Sequence, residues 1–171
     1  MIEKRHENER SKSVAIFSDC ERYRYTLTRV WEPLGKRVLF IMLNPSTADE
    51  MKNDPTVERC ERRARALGFG SFRVCNIFAF RATDPKVMRA EEDPVGPEND
   101  AMILESCSWA DRVICAWGTH GAHRNRGPQM ADLVKEAGIS PYHLGLSKEG
   151  HPKHPLYIAY AQKPEIWWLN P

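Results

Sequence analysis

The sequence predicts an α/β domain organised around a mainly parallel central sheet of about four strands. Three observations carry that prediction. Short apolar runs recur at 38–43 (VLFIML), 72–80 (FRVCNIFAF), 112–117 (RVICAW) and, more weakly, 142–146 (YHLGL). Runs of this length with little polar alternation mark strands covered on both faces, as in parallel sheets. Helical stretches with one apolar face separate them, and the order strand, helix, strand, helix, strand, helix, strand is that of parallel strands joined by right-handed crossovers.

The elements follow in chain order. Residues 1–12 (MIEKRHENERSK) are polar and charged, and are expected as a flexible lead-in to a single domain over 13–171. Two β stretches come next, at 14–17 and 22–31. In the second, Tyr23, Tyr25 and Leu27 alternate with Arg22, Arg24, Thr26 and Thr28. That period of two is the mark of a half-buried strand, so the pair is expected as an antiparallel edge hairpin. After the strand at 38–43, Asp54-Pro55 starts a helix as N-cap and first helical residue. Val57, Cys60, Ala64 and Leu67 share its inner face, and Gly68 stops it. A second helix is expected at 98–109, with Ala101, Leu104 and Ser108, or Met102 and Trp109, inward. A third is expected at 128–137, with Met130, Leu133, Val134 and Ala137 as its stripe and Gly138 at its end. The tail (PEIWWL, 164–169) pairs two tryptophans and is expected to seal the core.

Composition narrows the class. The 171 residues are 42% apolar and 28% charged, which excludes collagen-like, coiled-coil and fully disordered chains. No apolar run approaches the ~20 residues of a membrane-spanning helix, and the first dozen residues hold no apolar signal core. A cytoplasmic protein with no membrane association is therefore expected. Net charge is +2, from 25 Lys+Arg against 23 Asp+Glu. That is too small for a general nucleic-acid footprint but compatible with a local basic patch. The five cysteines are widely spaced without a CxxC, so neither a disulfide framework nor a four-cysteine metal site is expected. No metal or cofactor is expected, and no feature specifies an oligomeric state.

In an open parallel sheet, ligands bind beyond the carboxyl ends of the strands. The residues there are polar and unusual. Asn44-Pro45-Ser46-Thr47-Ala48-Asp49 follows the first strand. Asn76 interrupts the second, ahead of Phe78 and Phe80. Trp117-Gly118-Thr119-His120 ends the third, and His151-Pro152-Lys153-His154-Pro155-Leu156-Tyr157 follows the fourth. Their convergence is the default candidate site. Taken singly, each has a plainer reading: Asn44-Pro45-Ser46 as a turn, Asn76 as a satisfied buried amide, Trp117 as core, Asp49 as a loop or helix cap. The Arg59, Arg62, Arg63, Arg65 cluster is expected as an exposed helix face.

That set of motifs resembles the uracil-DNA glycosylase superfamily. Phe40-Ile41-Met42-Leu43-Asn44-Pro45-Ser46 is similar to its first motif, Val74-Cys75-Asn76-Ile77 to its base-reading strand, Ala116-Trp117-Gly118-Thr119-His120 to its third, and His154-Pro155 to its last. This chain departs at Met42-Leu43, where a glycine opens the motif, at Asn44, where the most active members carry Asp, and at Leu156, where Ser follows His-Pro. The wording LNPSTAD, NIFAFRAT, AWG and GHPKHPLY, over about 22–160, also resembles a bacterial and phage family known as a domain of unknown function, DUF1643.

The resemblance implies a three-layer α/β/α sandwich and a glycosylase acting on an extruded base in single- or double-stranded DNA, or on a modified nucleotide. It implies that Asn76 reads the base edge and that Phe78 or Phe80 stacks on it. Asn44 would hold the attacking water, Asp49 would supply a carboxylate, and His154 would stabilise the departing base. Pro45, Ser46, Trp117, Gly118 and His120 would shape the pocket. Leu156 and Tyr157 would fill the gap in the duplex, and Arg124 and Lys153 (with His120, Arg126 and Lys148) would meet phosphates. Two alternatives remain open. One is a non-catalytic nucleic-acid or nucleotide-binding module. The other is a metal-dependent hydrolase using the pairs His120/His123 and His151/His154, with His143 between them.

Overall fold

The computed structural model describes residues 1–169. A single eight-stranded mixed sheet runs in the order β1-β2-β3-β5-β4-β6-β7-β8. Its strands are β1 (Ile2–Glu7), β2 (Lys12–Phe17), β3 (Arg24–Val30), β4 (Arg37–Met42), β5 (Ser71–Asn76), β6 (Arg112–Cys115), β7 (Tyr142–His143) and β8 (Glu165–Ile166). The helices are α1 (Pro55–Ala66), α2 (Pro85–Ala90), α3 (Asn99–Trp109) and α4 (Arg126–Glu136), with 3-10 segments at Thr119–Asn125 and Pro155–Tyr157.

The sheet is mixed and larger than the expected mainly parallel set of about four strands with an edge hairpin. β4 pairs in parallel with β5 and β6, and β6 with β7. The pairs β1–β2, β2–β3, β3–β5 and β7–β8 are antiparallel. The N-terminal addition is larger than a hairpin, because residues 1–12 contain β1, registered from Ile2↔Phe17 to Glu7↔Lys12. Asn8 Oδ1 closes the turn by accepting from the amides of Arg10 and Ser11.

The apolar run in β4 is explained by helices on both faces. Val38, Phe40 and Met42 pack with Val57, Cys60 and Ala64 of α1. Leu39 and Ile41 pack with Ile103 and Cys107 of α3 and Met130 and Val134 of α4. α1 starts where expected, with Asp54 Oδ1 accepting from Val57 N at 2.9 Å. β3 is buried on both faces, not half-exposed as its alternation predicts. Its polar side chains find internal partners: Arg24 donates to the Ala48 carbonyl, and Thr28 Oγ1 accepts from Arg73, although Arg24 Nε and Arg29 Nη1 are buried without a hydrogen-bond partner.

A boundary and an element differ from expectation. β5 stops at Asn76 and does not run on to Phe80, because buried Asn99 donates its amide to the carbonyls of Asn76 and Ile77 and takes them out of the ladder. α2 is an element beyond those the sequence predicts, and its Asp84-Pro85 start repeats the cap logic of Asp54-Pro55, with Asp84 Oδ1 accepting from Lys86 N at 2.9 Å. In the tail, Trp167 packs edge-on against Trp117 at 5.7 Å, while Trp168 is exposed. Among the described residues, no helix is long and apolar enough to cross a membrane.

Candidate functional site

Beyond the carboxyl ends of β4 and β6 lies a hollow of about 430 Å³. Leu43, Asn44 and Ser46 enter it from the end of β4, Trp117, Gly118, Thr119 and His120 from the end of β6, and His154, Leu156 and Tyr157 from the C-terminal segment. Thr56 of α1 and Ala82, Thr83 and Pro85 at the start of α2 complete the wall. Among the described residues, no carboxylate lines it. Its size suits a small ligand.

Backbone contacts orient its polar groups. The Asn44 amide nitrogen donates to the carbonyls of Ala82 at 2.8 Å and Pro45 at 3.2 Å. The side chain is thereby turned so that its remaining polar atom, Oδ1, is an acceptor. Ser46 and Thr83 hydroxyls pair at 3.0 Å. His154 caps the 3-10 turn Pro155–Tyr157, its Nδ1 accepting the Leu156 amide at 3.3 Å. Nε2 therefore carries the hydrogen. Burial pushes the imidazole down to about 4, against the pull of nearby Asp54 and with a further push from His120. At neutral pH it is an uncharged N–H donor.

Glycines permit this packing. Gly118 sits at φ +75°, and a Cβ there would lie 3.3 Å from His154 Cβ. Its amide donates to the Pro152 carbonyl at 2.8 Å, tying the end of β6 to the segment bearing His154. The Trp117 indole is buried against Gly121 and Gly127, where a Cβ would come within 2.3 and 2.6 Å of it.

The structure thus brings together Asn44, Ser46, Trp117, Gly118, His120, His154, Leu156 and Tyr157. It places the other expected site residues elsewhere. Asn76 is buried outside the hollow, its Oδ1 3.4 Å from Arg24 Nη2. Phe78 packs on His123 at 5.6 Å and Phe80 on Tyr23 at 5.8 Å, neither lining the hollow. Asp49 is a turn residue whose Oδ1 accepts from the amides of Met51 and Lys52. Pro45 is buried and contributes its carbonyl, which accepts from Ala82 N at 2.9 Å. Arg124 is exposed and donates to the Glu91 carbonyl at 3.1 Å. Lys153 is exposed with its stem against Gly145.

The histidine pairs do not converge. His123 faces Phe78, and His151 lies in a neighbouring depression beside Glu149. Among the described residues, no three His, Cys, Asp or Glu side chains cluster in a way that could hold a metal ion. The arginine cluster is not a uniformly exposed face. Arg62 and Arg65 pair with Glu58 and Glu61 on the surface, but Arg63 is buried, and both Arg59 and Arg63 bond backbone carbonyls after His154.

Sequence reasoning missed Thr56 and Thr83, hydroxyls beside the helix-starting Asp-Pro pairs. It also missed Asp54 as a charge felt by His154, though Asp54 was visible as a cap. Arg24 carried no signal as a buried cation. Residues 24–156 match the family described as "Protein of unknown function (DUF1643)", and the chain belongs to that family. No curated protein and no solved structure matches the chain. The matched span contains every lining residue of the hollow except Tyr157 and leaves out β1 and β2.

Proposed function

We propose that the hollow receives an extruded nucleobase of DNA and that the chain hydrolyses its N-glycosidic bond, as the likeness of its strand-end motifs to the uracil-DNA glycosylase superfamily suggests. One observation carries this reading: Asn44 and an uncharged His154 line the same hollow at the strand ends. In the reaction, water attacks C1′ and the electron pair of the C1′–N bond leaves with the base. His154 Nε2–H donates to a base carbonyl as negative charge develops there, a contribution of about 3–4 kcal/mol for donors of this type. Asn44 Oδ1 accepts from the water and orients it; an amide cannot remove its proton, which passes to solvent. The exposed ring of Tyr157 stands at the rim, available to the gap left in the stack.

Among the described residues no carboxylate lines the hollow, which favours a second reading, a module that binds a base or nucleotide without turnover. A panel of single- and double-stranded oligonucleotides carrying uracil, mismatched thymine, hypoxanthine or hydroxymethylated pyrimidines, scored for abasic sites, separates the two. Hydrolysis predicts free base, and a His154→Ala rate lower by about 10²–10³-fold. Binding alone predicts a retained oligonucleotide with no abasic site. An effect of His154→Ala below threefold removes it from the chemistry.

A further inference from the structure

We propose that Arg59 and Arg63 of α1 form a guanidinium clamp that positions the His154 imidazole, making them positioning residues for the hollow. The inference rests on the reading of His154 as the group that meets the ligand. Residues four apart share one helix face, and both side chains reach across to the chain after His154. Arg59 Nε donates to the Pro155 carbonyl at 3.0 Å, and its Nη2 to that of Ile158 at 2.6 Å. Arg63 Nη2 donates to Ile158 and Ala159 at 3.0 and 3.1 Å, and its Nη1 to Gln162 at 2.8 Å. The Tyr160 ring lies 4.5 Å from the Arg59 guanidinium and 5.5 Å from that of Arg63.

The geometry ties the clamp to the imidazole. Pro155 opens and Ile158 closes the 3-10 turn whose N-cap is His154. A rigid planar fork holding both carbonyls fixes that turn at its two ends. It therefore fixes the Leu156 amide, which dictates which imidazole nitrogen carries hydrogen. Hydrogen bonds from a charged donor are stronger than neutral ones, and five of them, partly shielded from water, converge on this one stretch.

The test uses Arg59→Met, which keeps the stem against Tyr160 and removes both donors, with Arg62→Met as the surface control. His154 is titrated by NMR of its ring carbons in the full chain. Cooperative melting of each variant establishes folding. The clamp predicts that Arg59→Met moves the His154 midpoint up from about 4 toward the ordinary value of about 6.5. It also predicts that base release falls at least tenfold in kcat with little change in KM. Arg62→Met changes neither, and Arg59→Lys, reaching one carbonyl, falls between. A folded Arg59→Met whose His154 titrates as in the wild type overturns the proposal whatever happens to base release. Should Arg59→Met fail to fold, Arg59→Lys is judged by the same midpoint. If the wild type releases no base from any oligonucleotide while the midpoint still shifts, the clamp stands and the glycosylase reading falls.

Discussion

The depressed His154 imidazole makes stability depend on pH in a defined window. In the unfolded chain the ring titrates near its ordinary value of about 6.5, and in the folded chain burial holds it at about 4. Between these values the unfolded state binds nearly one proton more than the native state. Stability is therefore highest above pH 6.5 and falls as acid is added, by about 1.4 kcal/mol per pH unit through the window. Below pH 4 both states are protonated and the loss stops, at a total on the order of 3 kcal/mol. The comparison is with His154→Asn. Its Oδ1 can accept the Leu156 amide in place of Nδ1, since Asn is a good cap, but it does not titrate. Burial also lowers His123 and His143, and subtracting the variant's curve cancels their contribution. Urea unfolding at half-unit steps from pH 7.5 to 3.5 gives both curves. The difference between them should be level above pH 6.5 and then fall steadily to pH 4. A level difference throughout would mean that the imidazole is as well solvated as in the unfolded chain. A rising one would mean that it is charged in the folded protein. The first result refutes the burial of the ring, and the second removes the neutral donor on which the proposed chemistry depends.

Three further substitutions probe the wall. Gly121→Ala places a Cβ 2.3 Å from Trp117 Cδ1 and should cost about 1–3 kcal/mol by overpacking, with an altered near-UV circular dichroism spectrum; an unchanged melt would mean that the indole is not packed there. Asn44→Asp sets a carboxylate against the Ala82 and Pro45 carbonyls and should cost about 1–3 kcal/mol at pH 7. Because that carboxyl would titrate higher in the folded chain, the penalty should shrink toward pH 4, and equal unfolding midpoints at pH 7 would refute the amide's orientation. Asn76→Ala removes an acceptor from buried Arg24 and should lower stability by about 1–3 kcal/mol, leaving ligand affinity within threefold. Lost affinity at full stability would place Asn76 in the hollow after all.

What was legible in the sequence tracks what depends on neighbours along the chain. The runs at 38–43 and 112–117 read as covered strands because burial on both faces leaves no alternation. The strand-end rule then located Asn44, Trp117 and His154 from primary structure alone. The same rule failed for Asn76. It lies beside Met42 in the parallel register, but side chains alternate across a sheet, and its amide meets Arg24 instead of the hollow. Strand order along a chain carries no such parity. β1 escaped notice because Glu3, Lys4, Arg5, His6 and Glu7 look solvated; Ile2, Lys4 and His6 are half-buried while the residues between them are exposed. The span of α1 was recognised from its cap and stripe, yet its arginines were misassigned, since arginine is seldom buried unless paired.

Those arginines follow a wider pattern. Arg24, Arg63 and Arg126 are almost fully buried, and each donates to backbone carbonyls of a loop near the strand ends. Arg24 bonds Ala48, and Arg29 bonds Asp49 and Lys52, so both hold the loop after β4. Arg126 bonds the Ile77 carbonyl, where the chain leaves β5, while its other nitrogens reach Gln129 and Asp100. Arg59 and Arg63 hold the segment after His154. Loops of this kind have few ladder bonds of their own, and carbonyls removed from water need donors. A guanidinium supplies several from one side chain at about 1.5–3 kcal/mol per bond to a charged group. Five arginines are therefore committed to fixing loops near the strand ends. If the proposed ligand is DNA, its phosphates would have to meet exposed cations such as Arg124 and Lys153 instead, and binding should then weaken as salt rises.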